Sequence, residues 1–474
     1  MNPSDAKQTD VNKTDFSTLK LHPDLLKNLT TLGYEAMTPI QEASLPAILA
    51  GKDVIAQGKT GSGKTAAFGL GLLQKLNVEE LQVQALVLCP TRELADQVTK
   101  EIRRLARTIP NIKVLTLCGG VSIRPQKDSL KYGAHIIVGT PGRIEDHLER
   151  ETLHLGSVNT VILDEADRML DMGFKDAIHA IVNQTPKKRQ TLLLSATFPD
   201  QIKAISKRIM NNPVMVEVES THDSDSIEQH FYRVESQQEG ITALRLLLLA
   251  NRPESTVIFC NTKQETQEIS EELTNHGFSA LALNGDLEQR DRDQTLVRFA
   301  NRSSSILVAT DVAARGLDID ALDAVINFHI PHDPEIYIHR IGRTGRAGSK
   351  GLAFTIYAQN EYKMTMLSDY IGQSITSESL PPMSTLETKA MKPPMATLQI
   401  GGGKKEKVRP GDILGALTGE DGIAGKQVGK INVFDNWAYV AVNRDVAKIA
   451  LKKLTDGKLK GRTFRVRMIW DWPG

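Results

Sequence analysis

Gly58-Lys59-Thr60-Gly61-Ser62-Gly63-Lys64-Thr65 fits G-x-x-x-x-G-K-[ST] and follows the short apolar run Val54-Ile55-Ala56. Such a segment is a glycine-rich turn between a strand and a helix, and its backbone N–H groups surround phosphates. It commits this part of the chain to an α/β sheet, with the strand inside the sheet and the helix packed on it. Further on, Val161-Ile162-Leu163 runs directly into Asp164-Glu165-Ala166-Asp167. Parallel strands place their carboxyl ends along one edge, so Asp164 can orient a magnesium ion that also meets the Thr65 hydroxyl. Lys64 neutralises β/γ-phosphate charge, and Glu165, one residue on from the metal acid, is placed to polarise an attacking water. The two motifs together predict ATP hydrolysis, with ATP and Mg2+ as cofactors.

Short apolar runs alternate with amphipathic stretches from about Phe16 to Ser377, the pattern of layered parallel α/β structure. Strands are predicted at 53–56, 85–88, 135–138 and 191–194, and a second set at 256–259, 305–308 and 324–326. The polar stretch Ser220 to Asp225 separates the sets, and only the first contains a P-loop. This predicts a tail over 1–15, a first sheet domain over 16–222 carrying most of the nucleotide site, and a second over 223–378. Residues 379–402, rich in Pro, Met, Ser, Thr and Gly, read as a linker, part of which packs on the second domain or stays free. In the last unit, 403–474, Ala447, Ala450, Leu451 and Leu454 form a helical stripe, and Phe464, Val466 and Met468 alternate with Arg465 and Arg467. Lys430 to Val442 reads as two strands around Asp435-Asn436; with an initial strand before Pro410 and a helix after it, the order is βαββαβ, an α+β unit.

The chain of 474 residues holds 58 Lys/Arg and 57 Asp/Glu, but the balance is uneven. From Ile400 onward there are 15 cationic and 8 acidic side chains, against 43 and 49 before it. A basic terminal unit on a mildly acidic body points to a local polyanion partner, or more blandly to a solvated face. Cys89, Cys118 and Cys260 are far apart, with no C-x-x-C pair, and are read as reduced buried thiols without disulfide partners. No apolar signal core opens the chain, and its longest aliphatic run, Leu246 to Ala250, is too short to span a bilayer. A cytoplasmic monomer with no membrane partner is expected.

Further segments resemble a known family. Phe16, Gly33-Tyr34 and Thr38-Pro39-Ile40-Gln41 are similar to its adenine-recognition Q motif. Pro90-Thr91-Arg92-Glu93-Leu94-Ala95, Gly119-Gly120, Thr140-Pro141-Gly142-Arg143, the Asp-Glu-Ala-Asp segment and Ser195-Ala196-Thr197 then follow in order. In the second half come Val257 to Thr262, Gln289 with Arg292, Ala309-Thr310-Asp311 through Asp318, and His339 through Arg346. Together they resemble the DEAD-box ATP-dependent RNA helicases over roughly residues 16–377. The resemblance implies two tandem RecA-like domains. It implies adenine contacts from Phe16 and Gln41, a ribose contact from Asp318, and arginine fingers at Arg343 and Arg346 that act when the domains close. An RNA groove would be formed by Arg92, Gly119, Gly120, Thr140, Arg143, Arg292 and Thr310, with phosphate contacts that read no bases. Ser195, Thr197 and His339 would couple nucleotide state to RNA state. Met37, Gly58 and Asn284 depart from common family choices without removing a catalytic group.

The terminal unit resembles an RNA-recognition motif, with Trp437 and Tyr439 on one strand face. Asp435 and Asn436 replace the basic residue and glycine of that signature, so base stacking and a packing role both stay open. Gly403-Lys404-Lys405, Arg409 to Leu417 and Lys460 to Arg467 resemble the RNA-binding tail of the bacterial DbpA helicases. That subfamily implies a hairpin of large-subunit (23S) ribosomal RNA and pre-50S particles as partners in ribosome assembly. An ATP-gated RNA clamp and a DNA translocase are the competing readings of the same motifs.

Overall fold

The computed structural model describes residues 15–58, 61–218, 227–314, 321–345, 350–358 and 361–469. They fall into two compact units, the first reaching the end of the first sheet and the second containing everything from the second sheet onward.

The first unit is built on β1 (Val54–Gln57), β2 (Ala85–Leu88), β3 (Val114–Leu117), β4 (Ile136–Gly139), β5 (Thr160–Leu163), β6 (Gln190–Ser195) and β7 (Val214–Glu217). They form one parallel sheet in the order β3-β4-β2-β5-β6-β1-β7. Helices cover both faces, so the strands are nearly continuous apolar runs. Successive side chains enter opposite cores: Val54, Ala56, Ile162, Leu192 and Leu194 one cluster, Ile55, Val161, Leu163 and Leu193 the other. Register sets the site, because Leu88 pairs with Leu163 and Gln57 with Ser195. The segments that follow β1, β5 and β6 therefore emerge on a common edge.

In the second unit β8 (Ile227–Val234), β9 (Thr256–Cys260), β10 (Ala280–Leu283), β11 (Ile306–Thr310), β12 (Ala324–Asn327) and β13 (Gly351–Ala358) form a parallel sheet ordered β10-β11-β9-β12-β13-β8. Renumbered from its first strand, this is the winding of the first sheet without β7. Thr262 caps the helix after β9 by accepting from the Glu265 amide, as Thr91 caps the helix after β2 by accepting from the Leu94 amide. The three cysteines are buried and free.

The same unit ends in an antiparallel sheet of β14 (Met395–Ile400), β15 (Val428–Val433), β16 (Ala438–Asn443) and β17 (Val466–Ile469), ordered β15-β16-β14-β17. Helices Pro410–Thr418 and Ala447–Asp456 complete βαββαβ. Its first strand lies inside the stretch read as linker. Ala396, Leu398 and Ile400 enter the small core, but Thr397 and Gln399 on the other face are buried as well. The strand thus lacks the exposed polar face that sequence patterning relies on, and flanking Pro394 and Gly401 complete the disguise. The preceding segment packs on the second parallel sheet's core through Leu380, Leu386 and Ala390.

Thr397 meets the second parallel domain, while Gln399 is held within the terminal sheet by Arg467 at 2.7 Å and by Tyr439. The Met395 amide donates to the Arg302 carbonyl at 3.3 Å, and Ser303 and Thr397 share a hydroxyl contact of 2.6 Å. The Arg290 guanidinium, on helix Gln289–Ala300, lies 5.4 Å above the Trp437 ring. Tyr439 is 0 % exposed, edge-on to Phe434, and burial pushes its phenol up to about 12. Tyr439→Ala is expected to cost ~3–5 kcal/mol through the cavity it leaves. Tyr439→Phe is expected to cost ~1 kcal/mol or less, since its hydroxyl meets Gln399 at only 3.4 Å. Differential scanning calorimetry of both variants checks this order.

Candidate nucleotide and RNA sites

Gly63 occupies φ +95° immediately before helix Lys64–Lys75, and a Cβ there would stand 2.6 Å from Gln41 Nε2 and 2.9 Å from Thr38 Oγ1. The glycine is required twice, by its backbone and by the Q-motif side chains against it. Gln41 Nε2 donates to the Gly63 carbonyl at 3.1 Å, its Oε1 accepts from the Thr38 amide, and the Thr38 hydroxyl donates to the Ser62 carbonyl. The carboxamide expected to read adenine thus also clamps the phosphate loop. Phe16, expected to stack on the base, is 3 % exposed and set edge-on to Tyr34 in the core. Its ring is a packing element here and offers no open stacking face. Lys59 and Thr60 lie outside the described residues.

Lys64 is buried, with Nζ donating to the Gly58 carbonyl. Burial lowers its pKa, while Asp164, Glu165 and Asp167 pull the other way. Asp164, just beyond β5, is pushed up to about 7, first by burial and then by the Glu165 charge. Glu165 takes a left-handed φ of +51° and accepts from Arg168 Nη1 at 3.0 Å. Thr65, half-buried, opens the helix beside Lys64. Asp167 escaped the sequence reading of site residues. Its Oδ2 accepts from the Ala196 amide (3.2 Å) and from the Thr197 amide and hydroxyl (both 3.0 Å). It sits on the helix Ala166–Asp171 that begins after Glu165, which brings its carboxylate against the segment following β6. Ser195, fully buried, accepts the Gly58 amide with its carbonyl. The P-loop, the acidic strand end and the Ser-Ala-Thr segment are one hydrogen-bonded assembly.

Arg92, Gly119, Gly120, Thr140 and Arg143 follow β2, β3 and β4, three adjacent strands. Arg92 and Arg143 each bury an Nη1 with no hydrogen-bond partner among the described residues. Gly119 has open space where a Cβ would stand, and Gly120 sits at φ +76°. Arg143 Nη2 donates to the Val121 carbonyl at 2.8 Å. In the second unit, Thr310 accepts from the Ala313 amide and Arg292 Nη2 donates to the Ala313 carbonyl at 2.9 Å. Arg340, missed by the sequence reading, is 2 % exposed and holds both Asp311 oxygens at 2.7 Å. This bidentate pair fixes the segment after Thr310 to helix Pro334–Ile341. His339 is exposed on that helix, and Arg343 is buried just beyond it. Asp318 and Arg346 lie outside the described residues.

On the terminal sheet, Trp437 and Tyr439 are not an open stacking platform: Tyr439 is fully buried and Trp437 lies under Arg290. The exposed cations gather at an edge. Lys460 Nζ donates to the Lys407 carbonyl at 2.8 Å and pairs with Asp412 at 3.3 Å, joining the loop after β14 to the loop before β17. Lys404, Lys405, Arg409 and Arg462 are exposed on these two loops. Gly403 lets them meet the β15–β16 hairpin, since a Cβ there would stand 2.3 Å from the Phe434 carbonyl.

The fold and site define a P-loop ATPase with two RecA-like sheets and an appended RNA-binding unit. Residues 38–205 match the DEAD/DEAH box helicase family, 239–348 the helicase conserved C-terminal domain, and 397–468 the DbpA RNA binding domain. The chain is 55 % identical over 458 residues to the ATP-dependent RNA helicase DbpA of Escherichia coli, covering 96 % of this chain and all of that one. It is 46 % identical to the DEAD-box ATP-dependent RNA helicase CshA of Geobacillus kaustophilus, over 73 % of this chain and 74 % of the relative. Among solved structures, Saccharomyces cerevisiae Dbp5 bound to RNA and ADP BeF3 aligns with a TM-score of 0.69 at 31 % identity, covering 78 % of this chain and 96 % of that one. The chain belongs to the DEAD-box ATP-dependent RNA helicases. Within them it carries the DbpA type of RNA-binding domain.

The Asp164 shift has a sign that can be tested. Between pH 4 and 7 the folded protein keeps a proton that the unfolded chain has lost, so this group's contribution to stability falls as pH rises across that window. Asp164→Asn removes the ionisation, so it is expected to raise the melting temperature of nucleotide-free protein by a few degrees (about 2–5 °C) at pH 8 and hardly at all at pH 5. Thermal melts of the two proteins at both pH values check it. Gly63→Ala is expected to abolish ATP binding, measured by nucleotide fluorescence titration.

Proposed function

We propose that this helicase locally unwinds or remodels structured 23S ribosomal RNA in pre-50S particles, guided there by its terminal domain. The observation that carries the reading is the basic edge formed by residues 404–409 and 460–462 beside a sheet face that is already covered. With the stacking face engaged, recognition falls to cations and backbone groups at that edge, which suit a folded hairpin's phosphates and grooves. The relative named an ATP-dependent RNA helicase and the matching RNA-binding domain support the coarser part of this reading, ATP-driven work on RNA. The protein would act as a monomer in the cytoplasm; among the described residues no helix is long and apolar enough to cross a membrane.

In the core, Lys64 would balance phosphate charge and Glu165 would hold the attacking water. Asp318 would meet the ribose, and Arg343 and Arg346 would stabilise charge on the transferred phosphoryl group once the domains close. The Thr65 hydroxyl and the buried Asp164 carboxylate are hard oxygen donors that fit Mg2+, whose charge, when bound, offsets that of the phosphates. The unpartnered Nη1 atoms of Arg92 and Arg143 support an RNA groove on the first domain. Ser195, Thr197 and His339 would pass closure between nucleotide and RNA, with Asp167 as the physical link on the first domain.

Glu165→Gln is expected to retain ATP and RNA binding and to lower turnover by ~10²–10⁴-fold. Steady-state ATPase alongside RNA retention measures both, and near-normal hydrolysis would exclude the assigned role. Reversing Lys404, Lys405, Lys460 and Arg462 to Glu should leave ATPase stimulation by arbitrary RNA intact and erase preference for ribosomal hairpin fragments. Competition between the fragment and a scrambled RNA, read by ATPase activation, is the test; an unchanged preference would move recognition elsewhere.

A further inference from the structure

Helix Pro141–Glu149 carries a fully buried histidine that neither the nucleotide site nor the RNA groove uses directly. His147 Nε2 lies 3.1 Å from Gln126 Oε1, and Nδ1 lies 2.8 Å from the Thr152 hydroxyl. Gln126 Nε2 in turn donates to the Cys118 carbonyl at 2.9 Å, immediately before Gly119-Gly120. An amide oxygen only accepts, so His147 donates from Nε2; the Thr152 hydroxyl lies beside Nδ1 and also donates to the His147 carbonyl at 3.2 Å. Burial and the nearby Arg143, Lys127 and Arg150 lower the imidazole pKa, with Asp146 opposing them. On the far side of the glycine pair, Arg143 of the same helix donates to the Val121 carbonyl. One helix therefore grips the Gly119-Gly120 turn at both flanks.

We propose that His147 is a positioning residue for RNA: through Gln126 it sets the spacing between the Gly119-Gly120 turn and the Thr140–Arg143 helix start. The proposal rests on the reading of those segments as the RNA groove. It also separates His147 from an ordinary core histidine. A core residue lost would weaken the whole first domain, whereas a spacer lost would weaken RNA engagement alone.

The test is RNA-stimulated ATPase of the full chain, titrated with purified ribosomal RNA. His147→Leu and Gln126→Leu are each expected to raise KM for RNA about five- to tenfold, the loss of a hydrogen bond worth ~1–1.4 kcal/mol. The double variant should be no worse than either single one, because both cut the same chain of bonds. His147→Gln, which can donate to Gln126 and accept from Thr152, should stay within about twofold of the parent. Neither kcat at saturating RNA nor KM for ATP should move. An unchanged RNA KM in both Leu variants, a parallel loss of kcat and ATP affinity, or a Gln variant as impaired as Leu overturns the proposal. Arg143→Ala separates the two levels: if it leaves the RNA KM unchanged, the groove reading itself fails; if it raises it while the Leu variants do not, only the role of His147 fails. Should His147→Leu not fold, Gln126→Leu, at a half-buried position, carries the same test.

Discussion

The first domain is organised around a charge problem. Lys64, Asp164, Glu165 and Asp167 are all buried at one edge of a parallel sheet, where an ion without compensation costs several kcal/mol. The fold resolves two of the carboxylates locally. Glu165 is held by Arg168, and Asp167 by the amides and hydroxyl that follow β6. Asp164 is left sharing space with Lys64 and retaining its proton up to about pH 7. The parallel register that aligns β1, β5 and β6 creates the crowding and, with it, the chemistry.

The terminal domain solves a different problem with familiar parts. An RNA-recognition sheet ordinarily keeps its central aromatics open for bases. Here Tyr439 and Gln399 are buried, the outward Thr397 binds Ser303 in the loop after helix Gln289–Ala300, and Trp437 receives Arg290. Small polar residues around one large ring make a face that packs densely on protein and hydrogen-bonds across the join. A face spent on packing is closed to stacking, so the basic loops at the sheet's edge become the accessible cationic surface.

Sequence legibility followed how local the determinant was. The P-loop, the acidic strand end and the second sheet were readable because each is a short motif or a continuous apolar run with one physical use. The order βαββαβ was readable too, but its first strand was not. Both faces of Met395–Ile400 are covered, one by its own core and one reached by another domain, and neither periodicity nor composition records a partner such as Ser303, 94 residues away. Phe16 and Tyr439 stayed open in the sequence for a related reason: an aromatic on a strand or turn is equally suited to a base or a core, and the structure buries both. Asp167 and Arg340 were invisible as functional residues because their partners, Ala196-Thr197 and Asp311, are distant in sequence.

Helix Gln289–Ala300 joins the two functions of the second unit. One of its arginines, Arg290, covers Trp437 of the terminal domain; another, Arg292, two residues on, ties the helix to Ala313 beside Thr310. Residues i and i+2 point to different sides of a helix, so the element is held from two directions at once. At its far end, Ser303 binds Thr397 and Asn301 reaches the same hydroxyl. A helix fixed at both ends and on two sides moves as a rigid element, because packed interiors yield little to local force. The covered aromatic face is thus joined to the helix that also reaches Ala313, beside Thr310.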